Sequence, residues 1–241
     1  MLVIGHRGAA GLAPENTLAA FKKGMAAGAD ILEFDVQLTR DNVPIVIHDS
    51  TLLRTHHKNH IVRLSSYASV KEATSKGHKI TTLEEVLDTF FGKVLLDLEV
   101  KNSGEGKAIA EFVKNHAIKK QSDWQNIIFS SFKIRELRAI RRYSKRAELA
   151  LIHNLNPFAF LTHQRYLKFT AVGFHRLRVN RLAIEIAKRL GIFTYVYTVN
   201  RPSAAERLLS MGLDGVVTDR PDIIRQTVDV LTKYSSRKLK K

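Results

Sequence analysis

The chain has 241 residues, of which 39 are Lys or Arg, 23 are Asp or Glu, 44% are hydrophobic and none is Cys. This composition excludes disulfide frameworks, thiolate metal sites and cysteine nucleophiles, along with disordered and collagen-like classes, so any chemistry must use oxygen and nitrogen groups held by a globular core. The formal charge of +16 favours anionic substrates or polyanions, although Lys233, Arg237, Lys238, Lys240 and Lys241 place part of it in the last stretch, Leu231 to Lys241.

The first expected strand, Leu2–His6, follows Met1 with no basic n-region or long apolar h-region, and no apolar run reaches the ~18 residues of a membrane span. A cytoplasmic protein is expected. Further strands are read at Ile31–Leu38, Val94–Lys101, Ile127–Ser130, Glu148–Ile152, Phe169–Phe174, Phe193–Thr198 and Gly215–Thr218. Helical patterns lie between them at Thr17–Ala27, Leu83–Phe91, Lys107–His116, Ile134–Tyr143, Asn180–Leu190 and Ala204–Met211, with a last one near Ile223–Val230. Before Leu83, Thr81 with Glu84 or Thr82 with Glu85 can form a capping box. Eight strand-then-helix units in this length predict an α/β fold, a (β/α)8 TIM barrel, with a doubly wound open sheet as the rival. One domain over 1–230 is expected, interrupted by an irregular insertion at 49–82 and followed by a basic tail at 231–241.

The second strand alternates Leu32, Phe34, Val36 and Leu38 with Glu33, Asp35 and Gln37, and the third alternates its apolar set with Asp97, Glu99 and Lys101. The outer face of a barrel strand meets helices, so the carboxylates point inward or toward the mouth. There Glu33, Asp35 and Glu99 need a cation, because an unpaired buried carboxylate costs several kcal/mol. Oxygen donors without thiolate suit Mg2+ or Ca2+; the competing reading is a pair of internal salt bridges with Arg7 and Lys101. The first strand ends in Gly5-His6-Arg7-Gly8, and the apolar run Ile45-Val46-Ile47 ends in His48. Two strand-end histidines beside a phosphate-binding arginine can divide general acid and general base work.

These residues resemble the glycerophosphodiester phosphodiesterase family. The matching pieces run in order: His6-Arg7-Gly8, Pro14-Glu15-Asn16-Thr17 with Ala20-Phe21, Gly28-Ala29-Asp30, Glu33-Phe34-Asp35-Val36, Thr39 with Asp41, His48-Asp49 with Leu53-Arg54-Thr55, Glu99-Val100-Lys101, Val199-Asn200 and Gly212 to Pro221. The resemblance implies a TIM-barrel hydrolase that uses one divalent cation and cleaves small-molecule glycerophosphodiesters to sn-glycerol 3-phosphate and an alcohol. By matched position Glu33, Asp35 and Glu99 would bind the metal, and His6 and His48 would be the catalytic pair. Arg7 and Lys101 would hold phosphoryl oxygens, with Asn16, Tyr197 and Asn200 also on the substrate. The adjacent glycerol hydroxyl would attack phosphorus, giving a cyclic phosphate that water opens, as the high effective concentration of an intramolecular nucleophile favours.

Two departures stand out. Tyr197-Thr198-Val199-Asn200 replaces the family's usual Trp-Thr-Val-Asn, and His56-His57-Lys58-Asn59-His60 replaces a Gly-containing turn, read as a solvated basic loop in preference to a second metal site. The basic stretch Lys133–Arg146 has Ile134, Leu137 and Ile140 on one face, which marks a packed helix with a solvated basic side, and no specific nucleic-acid partner is expected. Weak contact with an anionic membrane through basic surface, lysophospholipase D activity there, and a catalytically inert polyanion-binding barrel are the competing readings.

Overall fold

The computed structural model describes residues 1–74, 78–153 and 155–238, the stretch 232–238 by its backbone alone. Strand β1 (Leu2–Gly5) leads to helix α1 (Leu18–Ala26), and β2 (Ile31–Leu38) doubles back as the antiparallel strand β3 (Pro44–Val46). Within 49–82 lie α2 (Leu53–His56), a 3-10 turn at Val62–Leu64, α3 (Tyr67–Ala73) and β4 (Thr81–Thr82), followed by α4 (Leu83–Phe90). Next come β5 (Leu95–Val100), α5 (Gly106–His116), β6 (Ile127–Ser131), α6 (Ile134–Tyr143), β7 (Glu148–His153) and α7 (Leu161–Leu167). The chain continues through β8 (Ala171–His175), α8 (Arg181–Arg189), β9 (Phe193–Tyr197), α9 (Pro202–Ser210), β10 (Gly215–Thr218) and α10 (Pro221–Lys238).

Eight parallel strands close a barrel in the order β1-β2-β5-β6-β7-β8-β9-β10, because β1 pairs with both β2 and β10. The expected TIM barrel is the fold, and its strands are those read from the sequence. Helix α10 continues through Lys238, so residues 231–238 extend the last helix; residues 239–241 of the expected tail and 75–77 of the expected insertion lie outside the described residues. Helices α3 and α7, missing from the sequence reading, are each only seven residues long. The segment around α2 and α3 has its own apolar cluster of Ile45, Ile47, Leu52, Val62, Val70 and Ile80.

Period-two alternation decides what faces the barrel axis. Leu32, Phe34 and Val36 join the shell core under the helices, where the Phe21 ring meets Phe34 and Phe90 at 5.6 Å between centroids. Burying each such ring contributes about 2–3 kcal/mol. On the other face, Ile4, Ile31, Ala150, Ala171, Tyr195 and Val217 pack together in the barrel interior.

Helix ends settle two local questions. Thr82, not Thr81, caps α4: its hydroxyl accepts from Glu85 N, while the Glu85 carboxylate accepts from Thr82 N at 2.8 Å. In α6, Leu137 and Ile140 are buried and Arg135, Arg138 and Arg142 exposed, as the spacing predicts. Glu136 departs from that solvated face. Its buried carboxylate accepts from Gly104 N and Gly106 N, both at 2.8 Å, and so fixes the loop between β5 and α5.

Candidate active site

Gly5 ends β1 beside Thr218 of β10, and His6 N donates to Thr218 O at 2.8 Å, so the next residues turn at the barrel mouth. Gly8 has φ +88°, and a Cβ there would lie 2.5 Å from the Phe21 ring, which requires glycine. Arg7 is left-handed as well, at φ 49°; its backbone N–H donates to Glu33 Oε2 at 2.8 Å, which offsets the strain.

The β2–β5 register sets Glu33 beside Asp97 and Asp35 beside Glu99. One carboxylate oxygen each from Glu33, Asp35 and Glu99 lies within 4.8 Å of the other two, and all three residues are buried. Lys101 Nζ approaches Glu99 Oε1 at 2.7 Å and Asp35 Oδ1 at 3.3 Å, while Arg7 Nε lies 3.4 Å from Asp35 Oδ2. The internal ion pairs weighed from the sequence therefore form. They are insufficient: four buried carboxylates, counting Asp97, face two fixed cations. Burial, then the charge of Asp35, pushes Glu33 up to about 7 and Glu99 up to about 8, whereas Lys101 and Arg7 outweigh burial at Asp35 and hold it below the usual carboxylate range. Two neighbouring carboxyls that resist ionisation, with oxygen-only donors, fit a hard divalent cation.

Each histidine is backed by a carboxylate. His6 Nδ1 lies 2.6 Å from Asp219 Oδ1, and His48 Nδ1 lies 2.6 Å from Asp49 Oδ1. With Nδ1 so engaged, Nε2 is the nitrogen left to exchange protons. The pairing with Asp219, helped by the charge of Glu33, overcomes burial and raises His6 above its ordinary range.

His48 reaches the mouth because β3 folds back on β2. Gln37, buried on the inward face of β2, donates through Nε2 to the carbonyls of Ile47, His48 and Asp49 at 3.0, 2.8 and 2.9 Å. Gln37→Leu is therefore expected to lower unfolding free energy by about 2 kcal/mol, since buried carbonyls lose their donor. It should also reduce kcat more than KM. Urea unfolding and steady-state kinetics check this, and an unchanged kcat would show that Gln37 does not position His48.

A family model of the Glycerophosphoryl diester phosphodiesterase family matches residues 6–223. The chain belongs to this family. It is 31% identical over 237 residues to the glycerophosphodiester phosphodiesterase of Caldanaerobacter subterraneus, covering 92% of this chain and 96% of that protein. Among solved structures, an Oleispira antarctica phosphodiesterase in complex with the product sn-glycerol 3-phosphate superposes with a TM-score of 0.85 at 26% identity, covering 95% of this chain and 97% of that one. A glycerophosphodiester phosphodiesterase from Thermotoga maritima superposes with a TM-score of 0.79 at 26% identity, covering 94% and 97%. The enzyme class is thus that of the family.

Seven family-matched residues converge at the mouth: His6, Arg7, Glu33, Asp35, His48, Glu99 and Lys101. The other three expected on the substrate lie beside these groups, Tyr197 lining one cavity with His6, Glu33 and Glu99, and each bonds within the protein. Asn16 Nδ2 donates to Asp35 Oδ2 at 2.9 Å, and Asn200 Nδ2 donates to Asp219 Oδ2 at 2.6 Å. Tyr197, in place of the family's tryptophan, donates its hydroxyl to His153 O at 3.0 Å and sets its ring edge-on to Phe132 and His175. The sequence reading gave no catalytic or binding role to Asp219, Asp49, Gln37 or Glu15, whose carboxylate accepts from both Arg7 and Arg54. Asp49 and Asp219 each directly follow an apolar run and its last polar residue, the same strand-end signal that singled out His6 and His48. Among the described residues His56, His57 and His60 form no three-ligand grouping, and His56 is held by Thr55 and the His78 carbonyl.

Proposed function

We propose that this chain hydrolyses glycerophosphodiesters to sn-glycerol 3-phosphate and an alcohol, with a Mg2+- or Ca2+-class cation held by Glu33, Asp35 and Glu99 and proton transfer by His6 and His48. The observation that carries the reading is the surplus of buried carboxylate over fixed cation between two carboxylate-backed imidazoles. When bound, the cation would polarise phosphoryl oxygens and offset charge developing on phosphorus.

The chain's own groups supply the rest. Arg7 and Lys101 offer guanidinium and ammonium donors to the non-bridging oxygens, and their ion pairs to Asp35, with the Lys101 hydrogen bond to Glu99, hold them in place before substrate arrives. One imidazole Nε2 accepts the proton of the glycerol hydroxyl beside the phosphate; the other protonates the departing alcohol oxygen. In the second half the roles exchange, and water attacks the cyclic phosphate. Asn16 and Asn200 act as positioning residues, the first orienting Asp35 and the second orienting Asp219 toward His6.

Chelation is the direct test. Stripping the protein with a chelator is expected to abolish turnover of glycerophosphocholine and related diesters, and added Mg2+ or Ca2+ to restore it. Binding of the cation alone, followed by calorimetry, should disappear in Asp35→Asn. Full turnover after complete metal removal overturns the reading.

A further inference from the structure

Residues 149–184 contain no Asp or Glu and carry Arg165, Lys168, Arg176, Arg178 and Arg181. This segment supplies β7, β8 and the loops that follow them, and in a parallel barrel those loops lie on the face that holds the catalytic groups. Its two loop leucines are among the most exposed apolar side chains described: Leu155 is 73% exposed and Leu177 76%. Leu182 in the first turn of α8 is 57% exposed. A lone exposed leucine is ordinary, but several on one rim interleaved with arginines are not. Among the described residues no carboxylate pairs with Arg176, Arg178 or Arg181.

We propose that this rim, at 155–160 and 176–182, docks the barrel mouth on an anionic lipid surface. Arginines there meet lipid phosphates while the leucines enter the boundary between headgroups and acyl chains, the two contributions that together hold a peripheral protein. An aromatic path joins the rim to the proposed cation site: His175 stands edge-on to Tyr197, Tyr197 edge-on to Phe132, and Lys101 Nζ lies 5.9 Å from the Phe132 ring centroid. A docked surface therefore faces the catalytic groups. The residues of this rim belong neither to helix α6 nor to the basic stretch after residue 230. A second copy of this chain fits poorly as occupant, since two rims of the same charge repel. A nucleic acid would use the arginines but leave the leucines in water.

Co-sedimentation tests the proposal without substrate, so its outcome is independent of whether the chain turns over diesters. The full chain is mixed with phosphatidylcholine vesicles, either plain or with about a third phosphatidylglycerol, in salt from about 0.05 to 0.5 M. Binding is expected to the anionic vesicles only and to weaken with salt. Leu155→Ser with Leu177→Ser, and separately Arg178→Glu with Arg181→Glu, should each reduce the bound fraction about tenfold or more. Both variants should keep the wild-type Tm and turnover of a soluble diester. The proposal fails if the wild-type chain does not bind, if either variant binds as well as wild type, or if light scattering shows a dimer that the leucine variant dissolves.

Discussion

His48→Ala is expected to lower kcat by about a thousandfold, and His6→Ala by a similar factor, within the 10² to 10⁴ that a positioned acid or base contributes. The two rings flank the carboxylate cluster, each fixed through Nδ1 by an aspartate at 2.6 Å, so a diester bound between them has no equivalent proton acceptor or donor once one ring is gone. Asp219→Asn should give a smaller loss, about a hundredfold, because the imidazole remains but its tautomer and orientation are released. The side chains of His6 and His48 are 22% and 34% exposed at the mouth, and the unfolding free energy of each alanine variant should stay within about 1 kcal/mol of wild type. Steady-state kinetics with thermal unfolding on the same preparations separate lost chemistry from lost fold. Turnover near the wild-type rate in either histidine variant would remove that residue from the mechanism.

Glu99→Gln is expected to abolish cation-dependent turnover while making the metal-free protein more stable at neutral and alkaline pH. Glu99 is pushed up to about 8 and Glu33 up to about 7, chiefly by burial, and both lie well above an unfolded glutamate. The sign follows from proton uptake. Below the unfolded pKa, near 4.3, both states are protonated and the raised pKa has no destabilising effect. As pH rises from there toward about 8 the unfolded chain ionises first, so metal-free stability falls, and it levels off once the folded carboxyls have ionised too. A glutamine carries no such proton and should recover on the order of 3 kcal/mol at pH 8. Saturating Mg2+ or Ca2+ should flatten or reverse the wild-type decline, because the cation favours the ionised cluster, and should do little for the variant. Urea unfolding across pH, with chelator and with metal, gives all of these comparisons. Metal-free wild-type stability that rises between pH 5 and 8 would contradict the arrangement.

The sequence alone determined the eight strands, the inward face of each acidic strand and the strand-end placement of His6 and His48. Those features depend on short-range regularities: side chains alternate every two residues along a strand, and polar residues just after an apolar run sit where the strand leaves the core. The tertiary structure decided what each polar group touches. His6 meets Asp219 across 213 residues of chain because β1 pairs with β10, and nothing local in either segment announces that contact. Asn16 and Asn200 stand out in the sequence, and the hydrogen bonds of their amides to Asp35 and Asp219 are set by register and loop path. Thr81 and Thr82 were equivalent as helix caps until the pairing of β4 with β3 placed Thr82 at the helix start, within reach of Glu85. Periodicity is a property of neighbours along the chain. Hydrogen-bond partners, and the charge balance that makes four carboxylates outnumber two cations, are properties of a closed barrel that brings distant strand ends to one mouth.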